Sequence, residues 1–284
     1  GVWHRTAAER AALVTPVNYA YVPSPKIDVR RHLTAWDDGS VQTTGLQTAI
    51  NMAYANKARL ILPNGFNVAS GALSLTMDGN RLTQGLAIEG AGPNGSVITQ
   101  SGAPTEVFNF SGATPTGNPS ESQLVLENFT VRQSALAKTA HGLTLNGIAG
   151  FRLSNLQLQG FDRALNLSSA LIGLIDQDSY FGDSNTGIYV RRNGTGSTTN
   201  LLRIRDCRIN INSSWGIDFD GGSQLQLYCN DIEANGTTTV VTTGGIAIRG
   251  ALAPDSLVAG VVLECNWLEN NLGRSLFVEA PTGG

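Results

Sequence analysis

Two stretches in the last quarter of the chain, Tyr228 to Glu233 and Glu264 to Glu269, hold Asp231, Glu233, Glu264 and Glu269 together with Tyr228 and Trp267. Paired carboxylates beside aromatic rings point to sugar chemistry. Cleaving a glycosidic bond takes two carboxyl groups, about 5 Å apart when configuration is retained and roughly 6.5–9.5 Å apart when it is inverted. Glu233, Glu269 and Asp231 are therefore the candidate catalytic groups. Trp267, Tyr228 and Glu264 are candidate substrate contacts, with Arg208, Asp218, Asp220 and Tyr189. The competing reading makes the first set a solvated acidic face with an exposed Trp, and turns Arg191, Asp220 and Arg249 into an ordinary charge ladder between strands. A third reading, elimination from a uronate polymer, wants a basic residue near bound Ca²⁺. Arg191, Arg205 and Arg208 are the candidate bases, but no cluster of acidic Ca²⁺ ligands is evident.

Other chemical motifs fail on context. Gly90-Ala91-Gly92-Pro93-Asn94-Gly95 matches G-x-G-x-x-G, but Ser96-Val97-Ile98-Thr99-Gln100 after it reads as a strand. A dinucleotide fingerprint must open a helix, so a β-turn is expected. His4, His32 and His141 lie far apart with no metal-ligand spacing, and no G-x-S-x-G elbow occurs. No metal or cofactor is expected. Cys207, Cys229 and Cys265 are too few for a stapled scaffold and lack C-x-x-C spacing, so they read as buried free thiols.

The elements that must position these residues follow from a degenerate repeat. LVLENFTV, FRLSNLQL, LIDQDSYF, LLRIRDCRI, LQLYCNDI and VVLECNWL align on an apolar anchor and a second apolar residue five positions later. The anchors are Leu126, Leu153, Asp176, Ile204, Leu227 and Leu263, in steps of 27, 23, 28, 23 and 36. A second column runs through HGLTL, RALNL, TGIYV, WGIDF, GGIAI and RSLFV, where a small residue precedes two apolar residues spaced by one. A repeat of this length, with several strands and no helix, fits one turn of a parallel β-helix. Asn128, Asn155, Asp178 and Asp206 then stack in a corner column, with Asn230 and Asn266 one position on, as an internal polar ladder.

In this register Thr144, Asn166, Tyr189, Asp218, Ala247 and Phe277 form one outward column. Asn146, Ser168, Arg191, Asp220, Arg249 and Glu279 form the next. On the other sheet Thr130, Gln157, Tyr180, Arg208, Asp231 and Trp267 stack, as do Glu127, Ser154, Gln177, Arg205, Tyr228 and Glu264. A further column ends in Glu233 and Glu269, which gathers the four carboxylates and two aromatics into one patch. The loops around TTTVVTTGG and ALAPDSLVAG would wall it.

Upstream, Leu46, Ala49, Ile50, Ala53 and Tyr54 recur at helical spacing with Thr43 or Thr44 as cap, and everything beyond reads as strand. Residues 1–26 read as a neck: a capping box at Thr6 to Glu9 opens a short helix, and Pro16, Pro23 and Pro25 hold an extended segment. Residues 27–284 read as the β-helix, expected to be a fragment of a longer chain.

The segment IDVRRHLTAWDDG, the helix TTGLQTAINMAYA, LILPNGFNVAS and LAIEGAGPNGSVI resemble the opening of pectate-lyase-like right-handed parallel β-helix proteins, a superfamily that includes many bacteriophage tailspikes. AERAALVTPVNYAYVPSP resembles the neck preceding the β-helix in phage tail proteins. The resemblance implies an all-β fold with a capping helix near 44–56, a homotrimer in the virion tail, and bacterial surface polysaccharide as ligand, depolymerised by hydrolysis or β-elimination. A non-catalytic binding or spacer β-helix is the alternative. Where the family usually continues with a second Asp after Asp-Gly, this chain has Gln42 and Thr43.

Composition agrees. Of 284 residues 41% are apolar and 14% charged, and 33 are glycine. That is enough to fill a large core and to turn many short strands. A net charge of −3 leaves no electrostatic footprint for nucleic acid. No stretch reaches the roughly 20 apolar residues of a membrane helix, so neither nucleic-acid binding nor membrane insertion is expected.

Overall fold

The structure, a computed structural model, describes residues 25–77, 85–112, 120–133, 138–191, 199–237, 242–249 and 260–279. Among these residues the strands form three parallel sheets of nine, eight and eight strands. Each turn of the chain adds one strand to each sheet. Strands Gly222–Tyr228, Asp231–Glu233 and Gly244–Arg249, for example, belong to the first, second and third sheets in turn. The pairings between neighbouring turns are parallel, as in Leu227↔Leu263, Ile232↔Leu268 and Ile246↔Leu276, with a register shift between Ala149 and Phe151 where their strand meets Ser120–Glu127. The polypeptide is therefore a three-sided coil about an apolar bore.

The bore is filled from all three walls. Phe66, Phe108, Phe110, Phe129, Phe161, Phe181 and Phe219 are each at most 1% exposed. Phe108 packs tilted against Phe110 and Phe129, with centroids 5.5 and 6.4 Å away. Burying each such ring is worth about 1.5–3 kcal/mol. Helix α1 (Thr43–Ala55) lies across the N-terminal end and buries Leu46, Ala49, Ile50 and Ala53. Neither threonine caps it: the residue before the first turn is Gln42, with no side-chain cap bond. Instead Thr43 Oγ1 accepts from the Gly71 N–H at 2.8 Å. Gln42, the residue that departs from the family pattern, is buried, and its amide nitrogen donates to Thr34 and Ser40 hydroxyls at 3.0 and 2.9 Å. Its role is to tie the preceding loop to the helix. Gly45 is required, because a Cβ there would lie 2.3 Å from the His32 carbonyl oxygen.

Gly90 to Gly95 form a turn between two strands, closed by Gly95 N–H donating to Gly92 O at 2.9 Å. The neck helix predicted from Thr6, and the segment holding Pro16 and Pro23, lie outside the described residues, as do most of the loops TTTVVTTGG and ALAPDSLVAG.

Two features of the repeat need correction. The inward anchor of the third aligned turn is Ile175, paired with Leu153 and Ile204, while Asp176 is buried against Arg152 and Arg205. The extra residue is absorbed at Gln177 and Asp178, both left-handed with φ of 56° and 58°, so the step from the anchor to Phe181 is six residues. The second correction is that the strands on either side of the Asn128 corner belong to different sheets, Leu126 to the first and Val131 to the second, so the columns through Glu127 and Thr130 do not share a face.

That corner also separates two columns that the alignment merges. Asn128, Asn155, Asp178, Asp206, Cys229 and Cys265 occupy its left-handed position, with φ between 48° and 64°. The next residue points inward and forms the buried ladder. Asn230 Oδ1 accepts from the Cys207 N–H at 3.1 Å, and Asn230 Nδ2 donates to the Ile204 carbonyl and to Asn266 Oδ1, both at 2.9 Å. A second ladder, Asn212, Asn235 and Asn271, does the same at the next corner, with Asn212 Nδ2 donating to Asn235 Oδ1 at 2.8 Å.

Removing one ladder amide strands buried backbone groups above and below it. Asn235→Ala deprives the Asn212 N–H of its acceptor and the Ile209 carbonyl of a donor. It should lower the unfolding free energy by roughly 1–3 kcal/mol in a urea titration followed by circular dichroism. An unchanged midpoint would show that the ladder adds no net stability.

Candidate functional site

The third strand of each turn carries the alternating charges read from the sequence, in the predicted register: Tyr189↔Asp218↔Ala247↔Phe277 and Arg191↔Asp220↔Arg249↔Glu279. Arg249 Nε donates to Asp218 Oδ1 at 2.7 Å. The Tyr189 hydroxyl donates to Asp220 at 3.4 Å, and the Arg163 guanidinium lies 3.8 Å from the Tyr189 ring centroid. Burial pushes the Asp218 carboxyl above its ordinary value and the charge of Asp220 adds to this, while Arg249 opposes it. Burial likewise raises the Tyr189 hydroxyl. Tyr189 and Asp220 are bonded to each other and Asp218 to Arg249, while among the described residues no ion pair joins Asp220 to Arg191 or Arg249, so the Arg191–Asp220–Arg249 ladder is not formed as read.

Sequence reasoning missed Trp215 on this face. It is 2% exposed, stacks on Phe277 at 6.0 Å, and has the Arg249 guanidinium 5.5 Å from its ring. The two rings belong to strands separated by another strand, so they meet over Gly244 and Ala247, which are small enough to be bridged. The signal lay in the first letters of the second repeat column, His141, Arg163, Thr186, Trp215, Gly244 and Arg274, which share a register position.

The carboxylate patch lies elsewhere, on the last two described turns. Asp231 is paired in register with Trp267, and Glu233 with Glu269. Tyr228 and Glu264 are paired on the first sheet, around the corner from the other four, so the patch wraps an edge rather than lying on one face. Trp267 is 63% exposed, and its indole N–H donates to Glu269 Oε2 at 2.7 Å. Among the described residues no Lys or Arg pairs with Asp231, Glu233, Glu264 or Glu269. Asp231 Oδ1 is buried with no hydrogen-bond partner. Neighbouring parallel strands are about 4.8 Å apart, so Glu233 and Glu269 spring from adjacent backbone positions, and among the described residues no cation pairs with either. Like charges facing each other across strands cost stability.

Arg208 is not part of this patch. Its Nε donates to Asp178 at 2.8 Å, and its guanidinium lies 5.8 Å from the Tyr180 ring, toward the preceding turns. Arg205, like Arg152, is paired with Asp176, which is 1% exposed. Both arginines are held by carboxylates.

No family model matches the sequence, and no curated protein matches it. Solved structures do. ORF18 of Geobacillus virus E2 matches with a TM-score of 0.55 and 15% identity, over 79% of this chain and 50% of that one. The catalytic unit of the thermostable GH87 alpha-1,3-glucanase from Streptomyces thermodiastaticus matches with 0.54 and 17%, over 91% and 51%. The A-module of the Azotobacter vinelandii mannuronan C-5 epimerase AlgE6 matches with 0.52 and 16%, over 88% and 79%. The chain folds as a right-handed parallel β-helix. This β-helix spans about half the length of the first two of those proteins.

The pH dependence of the β-helix should report Asp218. Its folded-state carboxyl holds a proton more tightly than the unfolded chain, where it titrates near the ordinary 3.8. Stability is therefore lost as pH rises from there through the higher folded value. Asp218→Asn keeps an oxygen for Arg249 and should flatten that decline in urea midpoints measured across the acidic range. Parallel curves for the two proteins would contradict it.

Proposed function

We propose that this β-helix is a bacteriophage tail protein that binds host surface polysaccharide and hydrolyses its glycosidic bonds at the edge formed by its last two described turns. The observation that carries the reading is the in-register Glu233–Glu269 pair, without a cation, beside the exposed Trp267. Glu89 and Glu127 also stack in register but share Arg59; a like-charge stack without such a cation, next to an open aromatic face, is what a sugar-cleaving site requires. Glu269, held by the Trp267 indole N–H, is the nucleophile attacking the anomeric carbon. Glu233 protonates the departing glycosidic oxygen and then takes a proton from the water that releases the glycosyl-enzyme, giving retention at this short spacing. Asp231, paired in register with Trp267, lies beside this pair. Tyr228 and Glu264 extend the contact around the corner.

Assembly as a homotrimer and residence in the virion tail belong to the same proposal. They are supported by the sequence resemblance to tail proteins and by the viral source of one structural neighbour. The glucanase named among the neighbours supports a carbohydrate substrate in the same way.

A panel of bacterial capsule, O-antigen and alginate-type polysaccharides, assayed for new reducing ends, tests the reading. Glu233→Gln and Glu269→Gln should each lower kcat by on the order of 10²–10⁴, with binding retained. Ultraviolet absorbance from an unsaturated sugar would replace hydrolysis by elimination. Wild-type activity undiminished in both variants would remove these glutamates from the chemistry.

Trp267→Ala separates binding from cleavage. It should raise KM several-fold and reduce kcat less, because the ring supplies a sugar platform and its loss also frees Glu269. Unchanged kinetics would place the saccharide elsewhere.

A further inference from the structure

Cys229 and Cys265, read from the sequence as buried, are both exposed, and only Cys207 is buried. They occupy equivalent positions on adjacent turns: Tyr228 pairs with Glu264 immediately before them, and Asp231 with Trp267 two residues after them. The Cys229 N–H donates to the Glu264 carbonyl at 3.0 Å. Both residues are left-handed, with φ of 52° and 55°. The four preceding turns place Asn128, Asn155, Asp178 and Asp206 at this corner. Asn and Asp tolerate that conformation because their side chains hydrogen-bond locally, whereas a thiol gains little from it. Two cysteines strained in the same way, stacked and open to solvent, need a reason.

We propose that Cys229 and Cys265 are a disulfide-forming pair that locks the last described turn onto the one before it, with a low-molecular-weight disulfide such as oxidised glutathione as the oxidant. In-register stacking sets their Cα atoms about 4.8 Å apart, inside the range of roughly 4.4–6.8 Å that a disulfide spans. The Cys229 thiolate attacks one sulfur of oxidised glutathione and expels a glutathione thiolate. The Cys265 thiolate then attacks the Cys229 sulfur of the mixed disulfide and expels the second. Two cysteine thiols are oxidised, two glutathione thiols form, and the cysteine protons end on them. Local desolvation, the Cys265 thiol, and the carboxylates of Asp206 and Glu264 hold the Cys229 thiol above its ordinary value, so exchange quickens in alkaline buffer.

The bond closes a loop of 36 residues, from 229 to 265. It would tie the last described turn, where Leu263, Leu276 and Val278 are 37%, 42% and 62% exposed, to the turn before it. The inference stands whether or not the saccharide site lies there.

The test incubates the whole protein with oxidised or reduced glutathione in mildly alkaline buffer and counts thiols after denaturation. Oxidation should take the count from three to one, and peptide mapping should find Cys229 joined to Cys265 with Cys207 free. Hydrogen exchange in residues 261–279 should slow several-fold in the oxidised form and recover on reduction. Cys229→Ser and Cys265→Ser should each abolish the slowing and leave a glutathione adduct on the remaining exposed thiol. Three titratable thiols after oxidation, lasting adducts on both cysteines of the wild type, or bonds only between chains would each overturn the proposal.

Discussion

Turning a chain three times per coil around an apolar bore leaves backbone amides and carbonyls at every corner without a strand partner, and those at the inner corners are shut away from water. An unpaired buried amide costs about as much as a hydrogen bond is worth several times over. The fold persists because the same inward residue at successive corners carries a donor and an acceptor spaced for the turn above. Ser179, Asn230 and Asn266 do this at one corner, and Ser184, Asn212, Asn235 and Asn271 at the next. Where the inward residue is Leu156 or Phe161, its own N–H is satisfied by the serine hydroxyl of the following turn.

That requirement propagates outward. Because each ladder amide must meet its successor, the turns cannot slip relative to one another, and in-register stacking becomes obligatory for outward side chains too. Charge therefore repeats at the strand spacing whether or not it is favourable. On the third sheet Arg249, stacked on Asp220, reaches diagonally to Asp218 as an ion pair. On the second, Glu233 and Glu269 suffer it. The contrast between a satisfied column and an unsatisfied one is what singles out the glutamate edge.

The strand-to-strand register was legible in the sequence wherever a turn has the ordinary number of residues, since alternation of apolar and polar side chains has a period of two and any slip inverts it. The columns through Asp218, Asp220, Arg208 and Glu269 follow from this alone. Asp176 was misplaced because a bulge of two left-handed residues is invisible to a pattern of hydrophobicity: the extra residue changes no side-chain type, only the path of the backbone. That Leu126 and Val131, on either side of the Asn128 corner, belong to different sheets was hidden for a related reason. A 3-residue strand such as Asp231–Glu233 has one inward side chain, too few to declare a sheet of its own.

By itself the sequence determined the parallel β-helix, the helix over its N-terminal end and the vertical order of the outward residues, because these rest on many repeated positions, each contributing a few apolar contacts. Only the tertiary structure decided what those residues do to one another. It turned Tyr189, Asp218 and Asp220 inward on their own network, drew Trp215 over Gly244 and Ala247 to Phe277, carried Tyr228 and Glu264 around an edge from Trp267, and stacked two exposed thiols. Such contacts depend on the direction of each corner and on side-chain reach across it, quantities set by the packing of whole turns and carried by no single segment of the chain.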